Sequence, residues 1–361
     1  MSETQPSRIA ILGAGQLALM LAEAAKTLLV EVSCAGQESD CASRVAKVIT
    51  VDLEDASEVA NFAKSSDVVT IETENIDISI VEGLPLAPNA RAIGIAQDRL
   101  AEKLFLQSCG ISCAPFRSVD SVQDLRSAVQ ELGFPAILKT RRMGYDGKGQ
   151  KRIYSDGDLD GAFEDLGKVP CVLEGVVRFD AEVSLIAARS RTGEIVFYPL
   201  IENVHREGIL RRSTVPFAGV TNAMQSQAEG YLKRTLEELE YVGVLAVEFF
   251  VVGGKLVANE MAPRVHNSGH WTIEGSKTSQ FENHLRAILG MKLGSTDSVP
   301  TVMLNCIGKM PSAAETATTP AVWRHDYGKT ARPGRKVGHL TLPGSQHEAI
   351  ERWYLLLNPE E

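Results

Sequence analysis

Residues 245–270, LAVEFFVVGGKLVANEMAPRVHNSGH, decide how the rest of the chain is read. Leu245–Val252 is an apolar run suited to a buried strand, Gly253-Gly254 is a two-residue turn signal, and the chain returns from Lys255 as its partner. Glu248 sits inside that apolar strand, where a carboxylate is costly unless it meets a cation or a donor. A strict two-residue loop would set Glu248 opposite Asn259 and turn Glu260 to the other face. A three-residue loop or a bulge would set Glu248 opposite Glu260 instead. Only the second register makes a paired-carboxylate site for magnesium, and the sequence leaves both open. In the segment that follows, His266 and His270 have the i, i+4 spacing of a zinc pair on a helix. The intervening Asn-Ser-Gly is loop chemistry, so anion recognition by Arg264 and its polar neighbours is the better reading.

Upstream, Phe134–Thr140 reads as a strand ending in Lys139, followed by RRMGYDGKGQ and a second strand, Lys151–Tyr154. Gly144, Gly147 and Gly149 let the backbone approach phosphate oxygens, while Lys139 supplies a point charge. The loop is not a P-loop, because no G-K-[ST] occurs and a strand rather than a helix follows. It reads as a nucleotide-phosphate clamp. A helix over Ser121–Leu132 precedes it, stopped by Gly133. Strands at Ala181–Ala188, Glu194–Leu200 and Gly243–Val252 surround a helix over Met224–Leu239. Ser279-Gln-Phe-Glu282 has capping-box spacing ahead of a helix stopped by Gly290. From Met291 the chain turns Pro- and Gly-rich and reads as a small third domain. It carries a compact basic cluster, Arg332-Pro-Gly-Arg335-Lys336-Val-Gly-His339, suited to a phosphate-sized pocket.

The first ninety residues alternate strands (Arg8–Leu12, Val30–Cys34, Lys47–Val51, Asp67–Ile71) with helical patterns, which implies a parallel sheet. Gly13-x-Gly15-x-x-Ala18 is a loose dinucleotide fingerprint. Glu38 is the only acidic candidate for a ribose, so a structural tight turn or a site for a different phosphate is the better reading, and a nicotinamide dehydrogenase is the weakest of the enzyme readings.

The 361 residues are 44% hydrophobic and 23% charged, as in ordinary globular proteins, with 37 Lys+Arg against 46 Asp+Glu, a net charge of −9. That balance argues against a nonspecific nucleic-acid binder. No apolar run approaches the roughly 18 residues of a membrane span. The first residues lack a secretory signal pattern, and six scattered cysteines read as reduced thiols. The expectation is a cytoplasmic protein.

Taken together, GAGQL, KTRRMGYDGKGQ, VEFFV…NEMAPRVHNSGHW and RPGRKVGH resemble the 5-(carboxyamino)imidazole ribonucleotide synthases, purine-biosynthesis members of the ATP-grasp superfamily, from about Ile9 to His339. The resemblance implies a Rossmann-like N-terminal domain (1–96), a two-lobed ATP-grasp domain (97–290) and a small C-terminal domain (291–361). It implies carboxylation of 5-aminoimidazole ribonucleotide by ATP and bicarbonate through carboxyphosphate. For ATP it points to Arg99, Lys103, Lys139 and the loop Gly144, Tyr145, Asp146, Gly147, Lys148, Gly149 and Gln150. Glu174, Gly175, Val176 and Val177 would sit at the adenine, Glu182 on the ribose, and His205, Asn259 and Glu260 would complete the site. Glu248 and Glu260 would hold magnesium, with manganese able to replace it, and biotin is not used. The ribonucleotide would meet Glu72, Tyr145, Asp146, Arg264, His266, Asn267, Ser268, Arg332 and Lys336. Arg264 would hold the departing phosphate and Asp146 is the candidate base; Lys139 and His266 complete the catalytic set. A homodimer handing its product to the pathway's mutase is implied, with no nucleic-acid or membrane partner. Position 19 departs from the family pattern, Leu19 standing where a cation is usual. The rival readings are another ATP-grasp ligase, such as a formate-dependent glycinamide ribonucleotide transformylase or a biotin carboxylase, and a nucleotide-binding protein without turnover.

Overall fold

The computed structural model describes residues 8–144 and 149–359, so the expectations placed on Tyr145, Asp146, Gly147 and Lys148 lie outside the described residues. Four parallel strands open the fold: β1 (Arg8–Leu12), β2 (Glu31–Ala35), β3 (Lys47–Ile49) and β4 (Val68–Ile71), in the order β3-β2-β1-β4. The helix Gln16–Leu28 leaves the glycine turn and packs Leu17, Met20 and Leu21 against Trp271, Phe281 and Leu285 of the central region. Leu19 lies in that same core at 4% exposure, so the position where the family pattern has a cation is here part of an apolar seam between units.

A second, antiparallel sheet contains β5 (Phe116–Val119), β6 (Ala136–Thr140), β7 (Gln150–Ile153) and β8 (Cys171–Gly175), ordered β5-β8-β6-β7. The helix Val122–Leu132 covers it, with Ser121 capping its start by accepting the Asp124 N–H. The strand begins at Ala136 rather than the expected Phe134, consistent with Pro135 having no N–H for the ladder.

The third sheet has nine strands. These are β9 (Ala181–Arg189), β10 (Ile195–Phe197), β11 (Ile201–Arg206), β12 (Ile209–Val215), β13 (Gly243–Val252), β14 (Lys255–Ala262), β15 (Thr301–Ile307), β16 (Trp323–Asp326) and β17 (Lys336–Pro343). Their order is β14-β13-β9-β11-β12-β15-β17-β16, with β10 beside β9. The C-terminal strands therefore extend the central sheet through β12 and β15, while Trp353 and Ile350 of the helix His347–Leu357 give them a core of their own.

Two local expectations need correction. The hairpin β11–β12 went unread because its buried face carries Asn203 and Ser213 among the aliphatics, which interrupts the period-two apolar signal. Ser279 does cap the helix Gln280–Ile288 by accepting the Glu282 N–H, but the reciprocal half of the capping box is missing: the Glu282 carboxylate pairs with Arg286 at 2.7 Å.

Candidate active site

The helix Arg99–Ser108 stitches the small sheet to the large one. Asp98 caps it by accepting the Leu100 and Ala101 N–H groups, and Arg141, just past β6, grips the same carboxylate at 2.9 and 2.6 Å. Arg99 and Lys103 lie one turn apart on the helix. Arg99 reaches Glu260 at 3.2 Å and the Gly144 carbonyl at 3.2 Å. Lys103, with 2% of its side chain exposed, contacts Glu174 at 3.2 Å and donates to the Asn259 carbonyl at 3.3 Å. Glu102, between them, accepts the Met261 N–H at 2.5 Å.

Lys139 on β6 meets Glu174 on β8 at 2.8 Å, so one buried carboxylate lies between two ammonium groups. Burial by itself would raise the Glu174 pKa, but Lys139 and Lys103 outweigh it and hold the group ionised. Burial, together with Lys103 and Arg99, lowers the Lys139 pKa despite Glu174. Gly175 and Val176 follow Glu174 at the strand end, their N–H groups bound to the Pro115 and Pro135 carbonyls, with Val177 half-buried beyond them. Gly149 and Gln150 re-enter the sheet. Gly149 has a φ of 69°, and a Cβ there would lie 2.7 Å from the Thr140 hydroxyl.

Across the cleft, the register left open by the sequence resolves through a bulge. Gly253-Gly254 is the two-residue turn, yet Phe249 pairs with Ala258 while Glu248 pairs with Glu260, so Asn259 is the extra residue. Lys103 and Glu102 satisfy main-chain groups on either side of Glu260, which helps explain why a buried strand tolerates the irregularity. The carboxylates then titrate apart. Burial, then the charge of Glu260, pushes Glu248 up from 4.5 to about 7. For Glu260 burial also opposes ionisation, but Arg99 and Lys139 outweigh it and the shift is downward. What separates them is the pair of cations, Arg99 and Lys139, beside Glu260, which favours Glu260 as the ionised member. Two adjacent hard oxygen donors whose burial and mutual repulsion raise Glu248 fit a divalent cation. Nearby, His205 contacts Glu182 at 2.9 Å; burial would lower its pKa, but Glu182 and Glu248 reverse the direction.

The segment after β14 forms the other wall. Arg264 is gripped through Nε and Nη2 by Glu74 at 2.5 and 3.0 Å. His266 Nε2 stands 3.7 Å from Glu248, and its pKa falls to about 3 through burial and the charges of Arg264 and Lys336. The amide nitrogen and oxygen of Asn267 are shielded and have no partner among the described residues, as expected of a group awaiting a ligand. Ser268 is fully buried beside His266. Lys336 begins β17, and its charge acts on Glu248 and His266. Arg332 is exposed on a turn, and no side-chain contact among the described residues ties it to the cleft.

The glycine turn is structural, serving Glu72 rather than a nicotinamide cofactor. The Glu72 carboxylate accepts the Gly15 and Ala18 N–H groups at 2.7 and 3.0 Å, occupying the helix start where a pyrophosphate would sit. A Cβ at Gly13 or Gly15 would fall 2.3 or 2.7 Å from that side chain, so these glycines make room for Glu72. The zinc alternative gains no support: His270 is buried against Phe281 and His339, its ring centroid 5.5 and 5.1 Å from theirs, and no cluster of three metal-ligating side chains occurs among the described residues. Sequence reasoning missed Glu74, Glu102 and Lys329, the last bound to Gln16 and close enough to bias Glu72. Only Glu74 left a signal, as the second acid of Glu72-Thr-Glu74 at a strand end.

Three family descriptions match in succession. Residues 7–97 match the ribonucleotide synthetase preATP-grasp domain, 104–281 the ATP-grasp domain, and 301–352 the phosphoribosylaminoimidazole carboxylase C-terminal domain. The class is therefore that of the ATP-grasp ligases. The N5-carboxyaminoimidazole ribonucleotide synthase of Pseudomonas aeruginosa is 47% identical over 341 residues, covering 93% of this chain and 94% of that protein. The crystal structure of the Thermus thermophilus synthetase superposes with a TM-score of 0.92 at 47% identity, covering 98% of this chain and 99% of the other. The Aspergillus clavatus synthase in complex with ADP and 5-aminoimidazole ribonucleotide gives 0.90 at 29% identity, covering 98% of each chain. The chain belongs to the N5-carboxyaminoimidazole ribonucleotide synthase family.

Proposed function

We propose that this cleft carboxylates the exocyclic amine of 5-aminoimidazole ribonucleotide at the expense of ATP and bicarbonate, a step of purine biosynthesis. One observation carries the reading: the Lys139–Glu174–Lys103 set and the Glu248–Glu260 pair share one cleft with the Arg264–Ser268 run. Bicarbonate is a poor electrophile. Its oxygen attacks the γ-phosphorus, ADP leaves, and carboxyphosphate results; the amine then attacks the carboxyl carbon, phosphate leaves, and the amine loses a proton.

In this reading Lys139 and Arg99 bind the phosphates and Lys139 faces charge on the transferring group. Glu248 and Glu260 would hold magnesium, which when bound would neutralise phosphate charge. Manganese would substitute for it. Arg264, already aligned by Glu74, takes the departing phosphate with the hydrogens of Nη1 and Nη2 that Glu74 and the Val265 carbonyl leave over, and Asn267 supplies the unpaired amide that a substrate polar group would satisfy. Lys336 grips the ribonucleotide. Asp146, outside the described residues, remains the base in this scheme. The protein would act as a cytoplasmic homodimer passing its labile carbamate to the mutase that follows; no helix among the described residues is long and apolar enough to cross a membrane. The test is ADP formation with ribonucleotide and bicarbonate each omitted in turn. Full turnover requires both, and ADP release unchanged by omitting the ribonucleotide would refute its place as acceptor.

A further inference from the structure

A buried chain of side chains runs from β12 to the cleft. The Ser213 hydroxyl donates to Asn203 Oδ1 at 2.8 Å, Asn203 Nδ2 donates to Ser184 Oγ at 2.9 Å, and the Ser184 hydroxyl donates to Ser268 Oγ at 2.8 Å. Ser268 Oγ lies 2.9 Å from His266 Nδ1. Three of these links are rotatable hydroxyls and the amide could be turned over, so the chain by itself permits either polarity. One contact removes the ambiguity. The Ser268 main-chain N–H, which can only donate, points at His266 Nδ1 from 3.3 Å. A protonated Nδ1 would set two donors against each other, so Nδ1 is the acceptor. It then takes the Ser268 hydroxyl proton as well, and every upstream link follows in one direction. The main chain of His266 is held from the other side: Gln280, fully buried, accepts its N–H at 2.9 Å and donates to its carbonyl at 2.6 Å.

We infer that the Ser268 main-chain N–H fixes His266 as the neutral Nε2–H tautomer and that Ser213, Asn203, Ser184 and Ser268 form a one-way hydrogen-bond relay aligned with it, making His266 a hydrogen-bond donor in the cleft rather than a base. Its Nε2 is 3.7 Å from Glu248, beyond hydrogen-bonding distance, which leaves the N–H available to an incoming oxygen. A neutral imidazole with an oriented N–H can stabilise developing negative charge on oxygen without giving up its proton. The oxygen in question is that of the carboxyl group in transfer, and this part of the inference rests on the carboxylase reading; the tautomer does not. Asn203, Ser184 and Ser213 are thus positioning residues for the reaction.

The test is nitrogen-15 NMR of histidine-labelled ligand-free enzyme, with the His266 signals assigned by their loss in His266→Gln. The Nε2–H form is expected in the wild type, and an Nδ1–H form would overturn the inference. Asn203→Asp turns the central donor into an acceptor: Ser184 would donate to it, Ser268 to Ser184, and Nδ1 would lose its hydroxyl donor. That variant should show a measurable Nδ1–H population and a kcat roughly two- to ten-fold lower, with the KM for ATP unchanged. Ser184→Ala breaks the chain without reversing it and should keep the wild-type tautomer. Loss of the tautomer in Ser184→Ala, or its retention in a folded Asn203→Asp enzyme with wild-type kcat, would refute the relay. If Asn203→Asp fails to fold, the wild-type spectrum and Ser184→Ala still decide. Should the tautomer hold while ribonucleotide proves not to be the acceptor, the functional reading fails and the relay stands.

Discussion

Replacing Lys139 by Met separates catalysis from architecture, because the lysine belongs to both a phosphate site and a buried ion triad. Its side chain is 13% exposed and faces the cleft, whereas Lys103 beneath it is 2% exposed. Loss of a preorganised charge beside a transferring group typically lowers kcat by on the order of 10²–10³, about 2.7–4 kcal/mol. Removing one partner of a buried pair typically destabilises by about 3–5 kcal/mol. Glu174 keeps Lys103 at 3.2 Å, however, so the expected loss of stability falls to about 1–3 kcal/mol. Lys103→Met reverses the balance, since it also strips the Asn259 carbonyl at the bulge of its donor. Coupled measurement of ADP release at saturating substrates, beside thermal melting, reads both effects. Lys139→Met should lose rate with a modest melting shift, and Lys103→Met should melt markedly lower. Turnover of Lys139→Met within a few-fold of wild type would refute its place at the phosphates.

Glu260→Gln should raise the magnesium requirement roughly ten- to a hundred-fold and the ribonucleotide KM far less, because an amide is a weaker ligand for a hard cation; an unchanged magnesium titration would remove Glu260 from the metal site. Lys336→Ala should weaken ribonucleotide by about ten- to a hundred-fold while ATP affinity measured alone holds, and equal weakening of both would contradict the assignment. Because the Glu248 pKa is raised from 4.5 to about 7, the metal-free native state binds more protons than the unfolded state between those values. This contribution is full below 4.5 and is lost as pH rises through 7, so metal-free melting should decline across that window, and Glu248→Gln should flatten the slope. A slope unchanged in that variant would show that Glu248 does not carry the proton.

The parallel opening sheet, the glycine-loop hairpin and the strand pair around Gly253-Gly254 were legible because their signals are local: periodicity, turn residues and glycine spacing within a dozen positions. So were the residue types of the site, since Lys139, Glu248, Glu260 and Arg264 stand in apolar or glycine-rich surroundings that make charge conspicuous. Three matters lay beyond local pattern. The bulge at Asn259 depends on partners supplied by Glu102 and Lys103, 159 and 156 residues away in the chain, and no hairpin sequence reveals a satisfied main chain elsewhere. The occupant of the glycine turn was not legible, because only the folded sheet brings Glu72 onto it. The hairpin β11–β12 hid behind its buried Asn203 and Ser213, polar residues that are inexpensive in the core only because each has found its hydrogen-bond partner. The sequence by itself determined which elements form and which charges are available. Tertiary structure decided which charges meet, because pairing a buried polar group needs a partner in space, and the chain order does not record where that partner will be.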